Sequence, residues 1–254
     1  MDPLVIGLLA VTAFFAGIVD AIAGGGGLIT LPALLAAGLP PHVALGTNKG
    51  QSVWGSGAAL FAFWRARRVD AKQATLAFPL GLIGAAIGAE LVLLVDRDAL
   101  RPIVIAMLIG AAGLLVIRKP AGDGDDTPTP ERARRYLMFA ATLAFVIGAY
   151  DGFFGPGTGT FLIVGFVALC GKSLMRATAD AKVVNFASNL ASLAAFAYAG
   201  TVAWAVALPM AGGQLLGGLV GARLALQGGA RLIRIMVLVV SGALVIKLVV
   251  DLVR

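Results

Sequence analysis

The chain has 254 residues, 59% of them hydrophobic and only 13% charged, with a formal net charge of +7. A water-soluble domain carries about a quarter charged residues, so this composition excludes an ordinary soluble protein and points to a lipid bilayer as the surroundings. The positive charge carries no nucleic-acid reading, because Lys and Arg fall in short stretches between apolar runs, where membrane proteins keep their orienting charge.

Apolar segments are predicted at 4–38, 43–63, 74–95, 102–117, 136–169, 183–199, 203–222 and 232–250. Most are long enough for a bilayer, which takes about 20 apolar residues per helix. The start, Met1-Asp2-Pro3, has no basic region ahead of its apolar run, so the first segment is expected to remain a membrane helix rather than a cleaved signal. Between the fourth and fifth segments lies the polar stretch 118–135, rich in Pro, Gly and Asp and expected to be a linker. It divides the chain into a first membrane repeat, 1–117, and a second, 136–254. The fold class expected is therefore an all-α polytopic membrane protein of two four-segment halves.

The halves resemble each other. Gly17-Ile-Val-Asp20 before a Gly run corresponds to Gly148-Ala-Tyr-Asp151 before another, at an offset of 131. Ala44-Leu-Gly-Thr-Asn-Lys49 corresponds to Ala177-Thr-Ala-Asp-Ala-Lys182, and Gly84-x-x-x-Gly88-Ala-Glu90 to Gly217-x-x-x-Gly221-Ala-Arg223, both at 133. Internal repeats are frequent in secondary transporters.

Charge then sets direction. Arg65, Arg67, Arg68 and Lys72 mark the 64–73 loop as cytoplasmic, as do the basic residues of 118–135 and of the 223–234 connection. The turns at 39–46 and 199–203 lack Lys and Arg and read as outside. Equivalent segments two and six must then run in opposite directions, which makes the repeats inverted. For this to work, segments one and five must each return to the side they start from, as two short helices in a hairpin around a Gly-rich break, and both termini lie outside the cell (inner) membrane. Eight full crossings with parallel repeats is the alternative.

Three groups of residues carry the functional reading. The Gly runs, Gly24 to Gly27 and Gly155-Pro-Gly-Thr-Gly159, let the backbone approach a ligand closely. Restarting helices there aim positive dipole ends at one point, so Gly25, Gly26, Gly27, Gly157, Thr158 and Gly159 are candidate anion contacts. Tight helix packing is the plainer use of such glycines. Lys182, Asn185 and Asn189 share a helix face, as do Lys49, Ser52 and Ser56, and each line offers a cation with hydrogen-bonding side chains. Thr47, Asn48 and Gln51 add donors. A lysine at a membrane helix centre costs about 2.5–3.5 kcal/mol, so two equivalent ones require a reason; interfacial snorkelling is the alternative. Asp20 and Asp151 end the first half of each broken segment, where a carboxylate either caps the break or couples transport to protons. His42 reads as an exposed loop residue. Cys170 is the single cysteine, and no Cys/His cluster suggests a metal or other cofactor.

Taken together, Asp20-x-x-x-Gly-Gly-Gly-Gly27 with Thr30-Leu-Pro32, Gly46-Thr-Asn-Lys49, Asp151-Gly-Phe-Phe-Gly-Pro-Gly-Thr-Gly159 and Lys182-x-x-Asn185 resemble the sulfite exporter TauE/SafE family over essentially the whole chain. The resemblance implies a plasma-membrane exporter of sulfite, sulfonates or related anions, with the Gly breaks and the Thr-Asn-Lys and Lys-x-x-Asn motifs facing the substrate. One departure is Asp180, where the pattern places Thr; it is counted with Asp20 and Asp151 as a candidate coupling carboxylate. The function expected is secondary transport of a small sulfur-containing anion, not an enzyme activity, with an anion channel, a membrane-embedded enzyme or a structural subunit as alternatives. Gly-rich helix faces are compatible with a homodimer.

Overall fold

In a computed structural model, the described residues are 1–96, 98–100, 102–103 and 130–253. They form helices and no strands: α1 Pro3–Ala23, α2 Gly27–Ala36, α3 Pro41–Arg65, α4 Ala71–Leu93, α5 Pro130–Phe153, α6 Thr158–Cys170, α7 Leu174–Tyr198 and α8 Trp204–Val253. Four stretches are long and apolar enough to cross a membrane: all of α1 and α4, Tyr136–Phe153 of α5 and Trp204–Ile233 of α8. Helices α3 and α7 have 25 residues each, about 37 Å at 1.5 Å per residue, and differ from those four in carrying the polar residues.

Local chemistry explains most boundaries. Asp2 accepts the Leu4 N–H at 2.8 Å and Asp70 those of Lys72 and Gln73 at 3.1 and 3.2 Å, capping α1 and α4. Within segment one, α1 ends where Gly24 turns to φ 79°. Segment five breaks at Gly155 and Gly157, with φ 98° and 87°.

Several expectations change. Segment six begins at Leu174, nine residues earlier than its apolar run, because helix α7 includes Asp180 and Lys182. Segments seven and eight are two helices that meet inside the 223–234 connection, at a non-helical backbone break at Gly229 (φ 60°, ψ −160°); α8 denotes the two together. No proline interrupts that stretch, and one glycine suffices to redirect it. The polar linker ends earlier than 135, since α5 starts at Pro130, a residue suited to a first helical turn. Segment four, 102–117, and 118–129 lie outside the described residues, apart from 102–103. His42 is not in a loop; it is buried in the first turn of α3, with Nε2 3.1 Å from the Val92 carbonyl.

Packing is paired across the chain. Helix α1 lies on α8 and α4 on α5, while α3 and α7 touch each other and also pack on α8 and α4 respectively. Close approach depends on glycine. A Cβ on Gly84 would collide with the Phe145 carbonyl, and one on Gly217 with that of Phe14; Gly88 meets the Ala149 carbonyl, and Gly221 that of Ile18. These contacts match at the two repeat offsets.

Two apolar clusters form the core. One includes Ala59, Phe63, Leu162, Phe166, Ala177 and Ala222. The other includes Leu31, Leu34, Leu45, Phe154, Phe196 and Val206. Chain direction between them alternates: α3 enters the second cluster at Leu45 and reaches the first at Phe63, whereas α7 runs from Ala177 in the first to Phe196 in the second. Helix α1 passes from Leu9 to Ala23, second cluster to first, and α2 returns to the second through Leu31. Between the clusters α3 and α7 carry their polar residues.

Candidate functional site

The two helix breaks meet. Gly24 and Gly159 touch backbone to backbone, and Thr160 Oγ1 donates to the Ala23 carbonyl at 2.6 Å. Any side chain at Gly24 would strike the Gly159 backbone. Beside this crossing is a cavity lined by Asp20, Gly24, Gly27, Asn48, Lys49 and Ser52 from the first half, and by Asp151, Gly155, Thr158, Gly159, Asn185 and Asn189 from the second. The first turns of α2 and α6 thus open onto a common space, through Gly27 and through Thr158 and Gly159.

Buried charge is paired across the halves. Lys49 Nζ lies 2.9 Å from Asp151 Oδ1, with both side chains nearly inaccessible. Lys182 Nζ lies 3.5 Å from Asp20 Oδ2 and also donates to the Asp20 carbonyl. Each lysine therefore meets the aspartate of the other half. The aspartates have further donors: Gly26 N–H at 3.3 Å and Asn185 Nδ2 at 3.5 Å on Asp20, Thr158 Oγ1 at 2.8 Å and the Ser188 hydroxyl on Asp151. Burial of such ions is tolerable only with this kind of pairing.

One donor is directed into the cavity. The Asn48 carbonyl oxygen accepts from Thr30 Oγ1 at 2.6 Å and from Gln51 Nε2 at 3.0 Å. With its oxygen occupied, the side chain offers its NH₂ to the cavity that it lines. On the opposite wall Asn189 Nδ2 is taken up by the Asn185 carbonyl groups at 2.7 and 2.8 Å. The two polar lines are thus unequal.

The cavity gathers most of the candidate residues but not all of them. Gly25 does not line it, Gly26 acts through its bond to Asp20, and Gly157 caps the start of α6. Lys182 is fully buried behind Asp20 rather than on the wall. Thr47 Oγ1 accepts the Ala203 N–H at 3.0 Å, just ahead of α8. Asp180, its equivalent at offset 133, accepts the Asp70 N–H at 2.8 Å, just ahead of α4. The position is a helix-start anchor in both halves, away from the cavity.

The aspartate at 180 has a local explanation that sequence reading missed. Lys172, in the turn before α7, contacts the Asp180 carboxylate and Gln73 Oε1, lies 3.6 Å from Asp70 Oδ2 and sits 4.8 Å from the Tyr136 ring centre. Asp180 lies eight residues from Lys172, but Gln73 lies 99 away, and spacing does not show that they meet. Ser188 was missed because it falls off the i, i+3, i+7 line. Among the described residues, no group of three His, Cys, Asp or Glu could hold a metal ion.

The chain is similar to known membrane transporters. The family profile for the sulfite exporter TauE/SafE matches residues 9–248. A probable membrane transporter protein, ORF9, of Sinorhizobium sp is 43% identical over 245 residues, covering 96% of this chain and 92% of its own. The probable membrane transporter protein YfcA of Escherichia coli strain K12 is 41% identical over 251 residues, covering 99% and 92%. One from Haemophilus influenzae is 40% identical over 244 residues, covering 96% and 94%. No solved structure matches.

Proposed function

We propose, since the chain belongs to the sulfite exporter TauE/SafE family, that it carries small sulfur-containing anions, sulfite or an organosulfonate, across the cell (inner) membrane. The observation that carries this reading is the cavity at the meeting of two helix breaks, where Lys49, the Asn48 amide and the first turns of α2 and α6 converge. A helix start carries a positive dipole end, and broken helices at the bilayer midplane are the usual setting for anionic groups in carriers.

The carrier works by alternating access between two inverted repeats, each with a broken hairpin (α1–α2, α5–α6). Support comes from the opposite order in which α3 and α7 meet the two apolar clusters, and from the matched glycine contacts of α1 on α8 and α5 on α4. The 64–73 loop then faces the cytoplasm and both termini the outside. Lys182 contributes indirectly, holding Asp20 in place.

Thermal unfolding of the purified protein with sulfite, thiosulfate, sulfoacetate, sulfate or chloride tests the site. A ligand at a hundred times its dissociation constant stabilises by about 2.7 kcal/mol. One sulfur oxyanion is expected to stabilise the wild type and not Lys49→Ala. If no anion acts, or Lys49→Ala responds like the wild type, the anion site is wrong.

A further inference from the structure

The wall of the cavity is not simply positive. It carries one cation, Lys49, and two carboxylates, Asp20 and Asp151, with Lys182 behind Asp20. The two crossed ion pairs, at 2.9 and 3.5 Å, make these four groups electrically neutral before any ligand arrives. An entering anion would meet two carboxylates and leave an uncompensated buried charge, which is strongly unfavourable. Its best donor, the Lys49 ammonium, is already engaged by Asp151.

Among the described residues, no other charge on the surrounding helices relieves this. Asp151 is faced by Lys49 from α3, Thr158 from α6 and Ser188 from α7, while α4 approaches α5 through Gly84 and Gly88. Asp20 is faced by Lys182 and Asn185 from α7 and by the Gly26 N–H, while α8 approaches α1 through Gly213 and Gly217. Lys49 and Asp20 share the cavity wall.

Deepening the carrier reading, on which it rests, we infer that the anion is loaded together with protons, one per negative charge, so that transport is electroneutral. The first proton, taken from the water on the side to which the cavity opens, forms an O–H bond on the Asp151 carboxylate. That breaks its ion pair, and the Lys49 ammonium turns to the anion. The neutral carboxyl then serves as a further hydrogen-bond donor. A dianion takes a second proton on Asp20. On release, anion and protons leave on the same side and the crossed pairs re-form.

The test uses the full-length protein in liposomes, with a trapped pH dye and isotopically labelled methanesulfonate (a monoanion) or sulfoacetate (a dianion at neutral pH). Net uptake of the labelled anion down its concentration gradient, into liposomes that hold none of it, is measured alongside net proton movement, with the membrane potential clamped by potassium and valinomycin. The expected ratio of protons to anions is one for methanesulfonate and two for sulfoacetate, and neither net flux responds to the potential. In Asp151→Asn the ratio for methanesulfonate falls towards zero at whatever rate remains. Because the readout is a ratio, a loss of folded protein does not move it, and the wild-type ratio is decisive without the variant. Net anion uptake without accompanying protons, or a net flux driven by the potential, would overturn the coupling and leave the carrier standing. Absence of uptake for any anion offered, sulfite and thiosulfate included, would overturn the carrier reading and the coupling with it.

Discussion

At the scale of single residues, two positions carry distinct predictions. Asn48 is oriented by Thr30 and Gln51 so that its amide donates into the cavity. Asn48→Ala removes one donor to the anion, worth about 1.5–3 kcal/mol when the acceptor is charged. Affinity in a calorimetric titration should fall roughly ten- to a hundredfold; the unfolding temperature of the free protein also falls, since Thr30 and Gln51 lose their bonds to Asn48. Lys172 behaves differently, because it holds a buried carboxylate and touches no part of the cavity. Lys172→Leu leaves Asp180 buried without its cation, a change that costs about 3–5 kcal/mol in such sites. The double variant Lys172→Leu with Asp180→Thr should recover most of that loss in thermal unfolding. Threonine already performs the equivalent task at position 47, where its hydroxyl accepts the Ala203 N–H. A double variant no more stable than the single one would mean that the Asp180–Lys172 pair does more than anchor a helix start.

At the scale of elements, the chain packs its helices through backbone contact at glycine, and the consequences can be measured. A Cβ at Gly88 would overlap the Ala149 carbonyl and one at Gly221 the Ile18 carbonyl, whereas Gly7 has open space around it. Gly88→Ala and Gly221→Ala should each lose about 1–3 kcal/mol through overpacking, similarly, since they are equivalent positions. Gly7→Ala should be neutral or gain up to about 1 kcal/mol from helix propensity. Equal tolerance of all three in thermal unfolding would refute this packing. Elements were also where the sequence was most legible. Gly runs inside long apolar segments announce broken helices, because a local backbone need is written in local residues. The partners of Lys49 and Lys182 were not legible: the aspartates lie about a hundred or more residues away, and nothing in spacing says that each lysine crosses to the other half. Gln73 of α4, beside Lys172, is likewise distant in sequence, at 99 residues. Apolarity misplaced the start of α7, since buried polar residues lengthen a helix without making it look apolar.

At the scale of the whole molecule, the proposed carrier depends on the arrangement of the two halves. Under that proposal inverted repeats present the same packing to both sides of the membrane, which makes the two closures of the cavity near-equivalent in energy. The described symmetry is not complete. Lys172, Asp180 and Asp70 stand at the end of α7 nearer the 64–73 loop, and their counterparts near the other face are Leu39, Thr47 and Ala203. The inversion itself can be tested by labelling. Ala66 and Ala199 are equivalent at offset 133, both exposed, and cap α3 and α7. In a Cys170→Ala background, Ala199→Cys should react with a membrane-impermeant maleimide in intact cells. Ala66→Cys, beside the basic loop, should react only after the membrane is opened. Parallel repeats would put both cysteines on one face and give them the same accessibility. In that case α2 and α6 would not start towards a common cavity from opposite sides, and alternating access would need a mechanism that does not exchange the two halves.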